Sequence, residues 1–287
     1  MLDTKSNICE RVEAPSEFIK LFVFLVFLVG GFLIASSAYA ATYYVSQSTA
    51  NGWANGSNSN NGTSTSTPKL TISAAYSVAS SGDTIVVNDG TYTEGVLYIS
   101  KGLTINSVND YATTITTSSG YVMDITPPAG STFTLGKLII CANSTSYGLI
   151  FRDVATLYSV VLNGTRIQNA TKYAVDGTRP THITFTANNI IINDPNDSNT
   201  AITFSAPIVQ GGVNINGGSA TIGITGSISN GAVFIAGAAG VTASVTNMTL
   251  NLQAGPSGGN PAIGIKDIAN AIVSGNAITI VDASAQH

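Results

Sequence analysis

Two columns of residues recur through most of this chain, each with a period of roughly 30 residues. The first column holds the small residues that open short apolar segments: Gly120, Gly148, Ala174, Ala201, Ala232 and Ala262. The second column is mostly asparagine: Gly136, Asn163, Asn189, Asn216, Asn247 and Asn276. Both columns lengthen at the same repeat, which ties them to one structural unit. A period of this size indicates a solenoid, in which each repeat packs on its neighbours.

Apolar residues alternate with others after each small residue, as in Leu149 and Phe151 or Ile202 and Phe204. This period of two predicts short β-strands with one buried face, and no segment of the repeats has helical periodicity. Strands this short bury their apolar face only when successive coils stack about 4.8 Å apart and each strand pairs with its copy. We therefore predict an all-β fold, with parallel β-helix coils over residues 101–287.

The asparagine column indicates a tight turn that recurs in every coil. Asparagine tolerates left-handed backbone conformations, and its amide can hydrogen-bond the coils on either side. We predict an internal ladder of side chains built from these residues: Asn163, Asn189, Asn216, Asn247 and Asn276.

The N-terminal segment reads as an export signal. An apolar run occupies residues 18–35, and Ala38-Tyr39-Ala40 fits the small-x-small rule for cleavage by signal peptidase. We predict a signal peptide over residues 1–40 and a secreted or cell-surface location. Because the run is long, a retained membrane anchor is the alternative interpretation.

Residues 41–100 differ from the repeats and are predicted to form the N-terminal cap and first coils. Thr42 to Ser46 reads as a strand, and a loop rich in Asn, Gly, Ser and Thr follows over residues 47–67. Apolar residues at helical spacing then predict a short amphipathic helix: Leu70, Ile72, Ala75, Tyr76 and Ala79. A helix here would cover the open end of the solenoid, where unpaired backbone otherwise meets water.

This segment resembles the start of pectate-lyase-like right-handed parallel β-helix proteins. The matching residues are Tyr43 to Ser46, Gly62-Thr63, Pro68, Gly82 to Ile85 and Gly90 to Tyr92. The resemblance extends over nearly all of residues 42–287 and implies a right-handed solenoid. It leaves the activity open, since this fold hosts lyases, hydrolases, adhesins and structural proteins. The loop over residues 47–67 has no acidic residue, so a calcium site there is not expected, and Ca²⁺ enters only if the chain is a lyase.

The charged residues suggest where an active site would lie if the chain is an enzyme. By the repeat spacing, Asp124, Arg152 and Asp176 fall on adjoining coils of one exposed sheet, with Lys172 and Arg179 close by. In the lyases that the fold resembles, an arginine or Ca²⁺ neutralises a uronate carboxylate and a Lys or Arg removes a proton. Arg152 or Arg179 would then bind the carboxylate, and Lys172 would be the base. Asp124 and Asp176 would bind a cation or act as acid and base. The alternative is that these charges form ordinary surface ion pairs.

The second half of the chain is unusually free of charge. Residues 198–265 contain no Asp, Glu, Lys or Arg, which suits contact with neutral glycans or lateral packing of copies. Ile150 and Phe234 are predicted to point outward, where they would stack on sugar rings or pack under a loop. No closing helix is evident near the C-terminal end, so we predict an uncapped edge prone to end-to-end pairing.

Composition excludes several classes of function. Eleven basic and 15 acidic residues leave a net charge of −4, which argues against a nucleic-acid partner. Two Cys and two His argue against a zinc site or a disulfide scaffold. The interpretation is an exported, adhesin-like module that contacts polysaccharide and needs no cofactor. The alternatives are a lyase or glycosidase acting on uronate-containing glycans and a self-assembling fibre or sheath subunit.

Overall fold

The computed structural model describes residues 39–143, 147–194, 201–222, 232–252 and 262–280. From Ala40 onward these residues form one compact unit. The predicted signal peptide over residues 1–40 lies outside them except for its last two residues. In the ranges just given, no helix is both long enough and apolar enough to cross a membrane.

The chain folds into a right-handed parallel β-helix, as predicted. Strands are numbered β1 to β22 in chain order and lie on three faces of the solenoid, all pairings being parallel. The first face contains β1 (Thr42–Val45), β2 (Thr84–Val87), β5 (Thr104–Ser107), β8 (Thr132–Leu135), β11 (Tyr158–Asn163), the first halves of β14 (His182–Asp194) and β16 (Gln210–Ile222), β18 (Thr242–Thr246) and β21 (Asn270–Ser274).

The second face contains β3 (Gly90–Thr93), β6 (Thr113–Thr116), β9 (Ile139–Cys141), β12 (Arg166–Gln168), the second halves of β14 and β16, β19 (Thr249–Leu252) and β22 (Ala277–Ile280). The third face contains β4 (Leu97–Ile99), β7 (Tyr121–Ile125), β10 (Tyr147–Phe151), β13 (Tyr173–Asp176), β15 (Ile202–Ile208), β17 (Val233–Gly237) and β20 (Ile263–Lys266). The coils therefore stack as the repeat spacing requires.

Inward side chains from the three faces fill the solenoid. Phe151, Phe185 and Phe204 come from three consecutive coils, are fully buried, and have ring centroids 5.1 to 6.0 Å apart. Burying an aromatic side chain of this size contributes about 1.5–3 kcal/mol relative to leaving it in water. These rings therefore bind neighbouring coils to each other as well as filling the interior.

The column of small residues marks the point where the chain enters the third face. At Gly148 an added Cβ would lie 2.6 Å from the carbonyl oxygen of Ala174 in the next coil, so the position excludes a larger side chain. The register corrects one member of the column. Tyr147 pairs with Tyr121, which places Val122, and not Gly120, opposite Gly148.

One short α-helix, α1 (Ile72–Val78), contacts β1 and β2 at the N-terminal end, where the sequence predicts it. The Thr71 hydroxyl accepts a hydrogen bond from the amide of Ala74 (3.1 Å), which is the usual N-cap arrangement. Ile72 and Ala75 are fully buried. The apolar side of α1 thus covers the first coil.

Charged side chains from the following coil form hydrogen bonds with backbone groups at both ends of α1. The carboxylate of Glu94 accepts hydrogen bonds from the amides of Ile72 (2.8 Å) and Ser73 (3.3 Å). Lys101 Nζ donates to the carbonyl oxygens of Tyr76 (2.7 Å) and Ala79 (2.6 Å). An anion at the N-terminus and a cation at the C-terminus both interact favourably with the helix dipole and stabilise the helix.

The motifs that carry the family resemblance have structural roles. The carboxylate of Asp83 accepts hydrogen bonds from the amides of Ala41 and Ser80 (both 2.7 Å), so it ties the turn before β2 to the start of β1. Tyr92 is fully buried and its hydroxyl donates to the carbonyl oxygen of Asn88 (3.0 Å). Burial raises the pKa of Tyr92 to about 12.

The bend between the first and second faces contains the asparagines, but the predicted ladder is wrong in register. Asn163, Asn188 and Asn216 occupy one position, whereas Asn189 and Asn247 come one residue later with positive φ of 52° and 56°. Asn276 lies one position later still, because it follows Gly275, whose φ is 67°.

These amides lie on the outer surface of the bend and not inside the solenoid. Asn188 Nδ2 donates to Asn163 Oδ1 (2.9 Å), and Asn247 Nδ2 donates to Asn216 Oδ1 (3.0 Å). At the left-handed position Asn alternates with Gly from coil to coil, as Gly164, Asn189, Gly217, Asn247 and Gly275. The turn thus needs a residue that accepts positive φ, and both types do so at low cost.

The last described coil is less covered than those before it. Val273 and Ile278 are 52% and 48% exposed, although their partners one coil earlier, Val245 and Leu250, are fully buried. Within the described ranges β21 pairs only with β18, and β22 only with β19. Residues 281–287 lie outside the described ranges, so the predicted uncapped end stays a prediction.

Candidate functional site

Three tyrosines stand in register on consecutive coils of the third face. Tyr121 pairs with Tyr147, and Tyr147 pairs with Tyr173. We call these three residues the tyrosine row. Their rings are half-buried on the outer surface, and the centroids of Tyr147 and Tyr173 lie 5.8 Å apart at 40°. The row is a strip of aromatic surface that runs along the solenoid axis.

Two cations flank the tyrosine row. The guanidinium of Arg152 lies 5.8 Å from the ring centroid of Tyr121, and its Nη2 donates to the Tyr121 hydroxyl (3.0 Å). Lys172 Nζ lies 5.6 Å from the ring centroid of Tyr147, and the Lys172 side chain is exposed. The strip therefore combines aromatic faces with positive charge.

Asp124 is held by Arg152 and is not available as a free carboxylate. Arg152 Nε donates to both carboxylate oxygens of Asp124 (3.0 and 2.9 Å), and Nη2 donates to Oδ2 (2.7 Å). The Asp124 side chain is 6% exposed. This hydrogen bond raises the pKa of Arg152. Burial, followed by the charge of Asp124, raises the pKa of Tyr121 above 10, so its phenol stays protonated at neutral pH.

Asp124, Arg152 and Asp176 lie on adjoining coils of one sheet, as predicted, but Asp176 does not join the Asp124–Arg152 pair. Ile150 lies between Asp124 and Asp176 in the register, which puts the two carboxylates two coils apart. Asp176 is 3% exposed and accepts a hydrogen bond from the amide of Thr178 (2.9 Å), so it stabilises the turn after β13. Arg179, in that turn, is exposed.

The two apolar candidates for sugar contact have different environments. Ile150 is 2% exposed, which excludes the alternative that it stacks on a sugar ring and leaves the alternative that it packs under a loop. Phe234 is half-buried and lies opposite Thr203 and Gly264, two coils beyond the strand of Tyr173. Of the predicted residues, the contacts therefore gather Asp124, Arg152 and Lys172 around the tyrosine row. Asp176 is on the strand of Tyr173 but bonds the turn that contains Arg179, and Phe234 lies two coils further on.

Sequence reasoning missed the tyrosine row itself, although a signal was present. Tyr121, Tyr147 and Tyr173 recur at equal intervals along the chain. Placing Gly120 in the column of small residues shifted the first of these coils by two positions, so the tyrosines did not align.

The charged set does not fit a calcium site. Both oxygens of Asp124 are engaged by Arg152, and Asp176 lies two coils away. Throughout the described ranges no three His, Cys, Asp or Glu side chains gather closely enough to hold a metal ion. Ca²⁺ prefers six to eight oxygen ligands, and the residues around the tyrosine row do not supply them.

Comparison with known proteins assigns no family and no activity to this chain. No protein-family model and no curated protein matches the sequence. Among solved structures, the PL6 family alginate lyase AlyGC matches with a TM-score of 0.45 and 12% identity, covering 71% of this chain and 38% of that one. A point variant of the same enzyme matches with the same score and identity over 85% of this chain and 40% of its own.

The chain is a parallel β-helix similar in fold to a PL6 alginate lyase. It spans about two fifths of the length of these lyases. At this identity the likeness concerns the path of the solenoid, so the argument about function rests on the residues of the third face.

Proposed function

We propose that this chain is an exported binding module of adhesin type that holds a polysaccharide chain on the third face. The observation that carries the proposal is the tyrosine row, three aromatic rings in register on consecutive coils. Neighbouring coils are about 4.8 Å apart, so successive rings can meet successive sugar units of an extended chain. The tyrosine ring supplies an apolar face that packs on the carbon atoms of a sugar ring, and its hydroxyl can hydrogen-bond the sugar hydroxyls.

Arg152 and Lys172 add a preference for acidic chains. Lys172 forms no ion pair with any described residue, and its ammonium group lies over the face of Tyr147 (5.6 Å). Arg152 is oriented by Asp124, but its side chain is still 36% exposed. A carboxylate or sulfate on the bound sugar would therefore meet positive charge beside an aromatic face.

The same contacts favour binding over catalysis. An acid–base mechanism needs a carboxylate or amine within hydrogen-bond distance of the reacting proton and free to exchange it. Asp124 is bound by Arg152, and Asp176 is bound by the amide of Thr178. Lys172 is the one predicted catalytic residue beside the tyrosine row that forms no ion pair with a described residue, so substitution of Lys172 distinguishes binding from catalysis.

Affinity electrophoresis of the full chain in gels with alginate, polygalacturonate or a neutral glucan tests the proposal. We expect retardation by at least one acidic polymer, weakened by salt because charge contributes. Tyr147→Ala should weaken binding about tenfold, the loss of one aromatic contact. Tyr111→Ala, which removes a half-buried tyrosine at the bend between the first and second faces, is the matched control and should keep this binding.

Two results would contradict the proposal. Equal retardation of the intact chain and Tyr147→Ala would show that the tyrosine row is not the site. Formation of unsaturated or reducing ends that stops in Lys172→Ala would show that the chain is a lyase or hydrolase.

We also propose that copies of the chain associate through the exposed side chains of Val273 and Ile278. Light scattering at rising protein concentration would measure this association.

A further inference from the structure

A second groove lies at the bend between the first and second faces, away from the tyrosine row. It has a volume of about 640 Å³, within the usual range for ligand sites. Its lining is Asn106, Ser107, Asp110, Tyr111, Gly136, Lys137, Asn163, Gly164, Asn188 and Asn189. We call it the amide groove. The lining belongs to four consecutive coils, so the groove extends about 14 Å along the solenoid axis.

The amides of this groove retain much of their hydrogen-bonding capacity. Asn163 accepts from Asn188 Nδ2 (2.9 Å), which leaves Asn163 Nδ2 and Asn188 Oδ1 without a partner among the described residues. Within the same ranges the side chains of Asn106 and Asn189 form no hydrogen bond. A carboxamide offers two N–H donors and one acceptor oxygen, so the groove presents both donors and acceptors.

The charges in the amide groove cancel. Lys137 Nζ and Asp110 Oδ2 form an ion pair (2.7 Å), and the other lining residues are uncharged. The lining itself therefore has no net charge, and the one further cation named at this bend, Arg166, lies over the ring of Tyr111 (4.7 Å).

One aromatic side chain is held in place at this groove. Tyr111 has a positive φ of 61°, its amide donates to the carbonyl oxygen of Lys137 (2.9 Å), and the guanidinium of Arg166 lies 4.7 Å from its ring centroid. Gly164 leaves room beside it, since a Cβ there would lie 3.3 Å from the Tyr111 hydroxyl and 3.0 Å from Cγ of Lys137.

We propose that the amide groove binds a neutral, hydroxyl-rich polysaccharide chain that lies along the solenoid axis. Side-chain amides match the paired hydroxyls of a neutral sugar, each of which both donates and accepts a hydrogen bond. Amides on three of the four coils, spread along the solenoid axis, match a repeating chain better than a single small molecule. With the tyrosine row on the third face, this site makes the protein bivalent, able to hold two different polysaccharides at once.

Calorimetric titration of the full chain with cellohexaose, mannohexaose and laminarihexaose tests this site. We expect binding of at least one hexasaccharide with an affinity that salt does not change, because no charge is neutralised. Asn163→Ala and Asn189→Gly should each weaken it about tenfold, and glycine at 189 keeps the positive φ that this turn requires. Asn216→Ala and Asn247→Gly are matched controls at the same two positions of the bend but outside the groove, and should bind normally.

The outcomes separate this site from the tyrosine row. Neutral binding that is lost in Asn163→Ala but kept in Tyr147→Ala supports the inference, whatever the result with acidic chains. The inference is wrong if none of the three hexasaccharides binds, if the controls lose as much affinity as the groove variants, or if Tyr147→Ala alone abolishes the binding. Thermal unfolding of every variant identifies a loss that comes from misfolding, and Asn189→Gly provides the second, conformationally neutral substitution.

Discussion

Arg152 binds Asp124 across two adjacent coils through three hydrogen bonds of 2.7 to 3.0 Å. The Asp124 side chain is almost fully buried, whereas the Arg152 side chain is about one-third exposed and its guanidinium also contacts the hydroxyl of Tyr121. One side chain thus neutralises a buried charge and positions the first ring of the tyrosine row. The pair that the sequence offered as catalytic is, in the structure, an ion pair that supports the tyrosine row.

The burial of this pair predicts an unequal effect of two otherwise similar substitutions. Arg152→Ala leaves a buried carboxylate without its partner and should cost about 1–3 kcal/mol in the free energy of unfolding. Lys137→Ala breaks a pair of the same length, 2.7 Å to Asp110, but both of its side chains are more than half exposed, so the cost should stay below about 1 kcal/mol. Urea denaturation of both variants measures the difference, and equal costs would contradict the role of burial.

The contacts at the ends of α1 predict that Glu94 stabilises the N-terminal cap. Glu94→Ala removes an acceptor for two amides at the first turn of the helix and should lower stability by about 1–2 kcal/mol. The control is Lys266→Ala, which removes a charge whose pairing with Asp267 is long (3.8 Å) and exposed. Thermal unfolding reports the effect, and hydrogen exchange of the α1 amides should show local loosening in Glu94→Ala alone.

The hydrogen bonds of Asp153 predict that its contribution to the free energy of unfolding is lost at low pH. Burial by itself would raise the pKa of Asp153, but hydrogen bonds from Ala155 and Thr181, and from His182, outweigh it and lower the pKa below the ordinary 3.8. A carboxylate with a lowered folded-state pKa stabilises the fold above the unfolded pKa, and that contribution disappears as pH falls through the folded value. Asp153→Ala should therefore be less stable than the natural chain at neutral pH.

The difference between the two chains should shrink as pH falls below about 4. Chemical denaturation at a series of pH values measures it. A stability difference that stays constant down to the lowest pH would show that the ionised form of Asp153 contributes nothing beyond its neutral form.

Much of the architecture was open to prediction because it depends on local and repeating properties. The recurring period predicts the coils, and the alternation within Leu149 to Phe151 predicts the strands. The short amphipathic segment around Ile72 predicts the helix that covers the first coil. None of these patterns depends on contacts between distant residues. The sequence also predicted the left-handed turn, because Asn and Gly are the residues that adopt a positive φ at low cost.

Register was the point at which sequence reasoning failed. The asparagine column mixed three adjacent positions of the bend, and the small-residue column was displaced by two at Gly120. Asn and Gly substitute for each other at the left-handed position, so residue identity does not mark the position uniquely. The inter-coil hydrogen bonds and the packing of core residues such as Leu135 and Leu162 decide it.

The repeat thus specified a stack of coils, since every coil must bury the same alternating apolar residues against its neighbours. Only the three-dimensional stacking decided which outward residues meet. It brought Tyr121, Tyr147 and Tyr173 together from distant positions in the chain, and it placed Ile150 between Asp124 and Asp176. The physical reason is that a slip of one residue in a strand moves a side chain to the opposite face, and the sum of contacts over all coils selects the register.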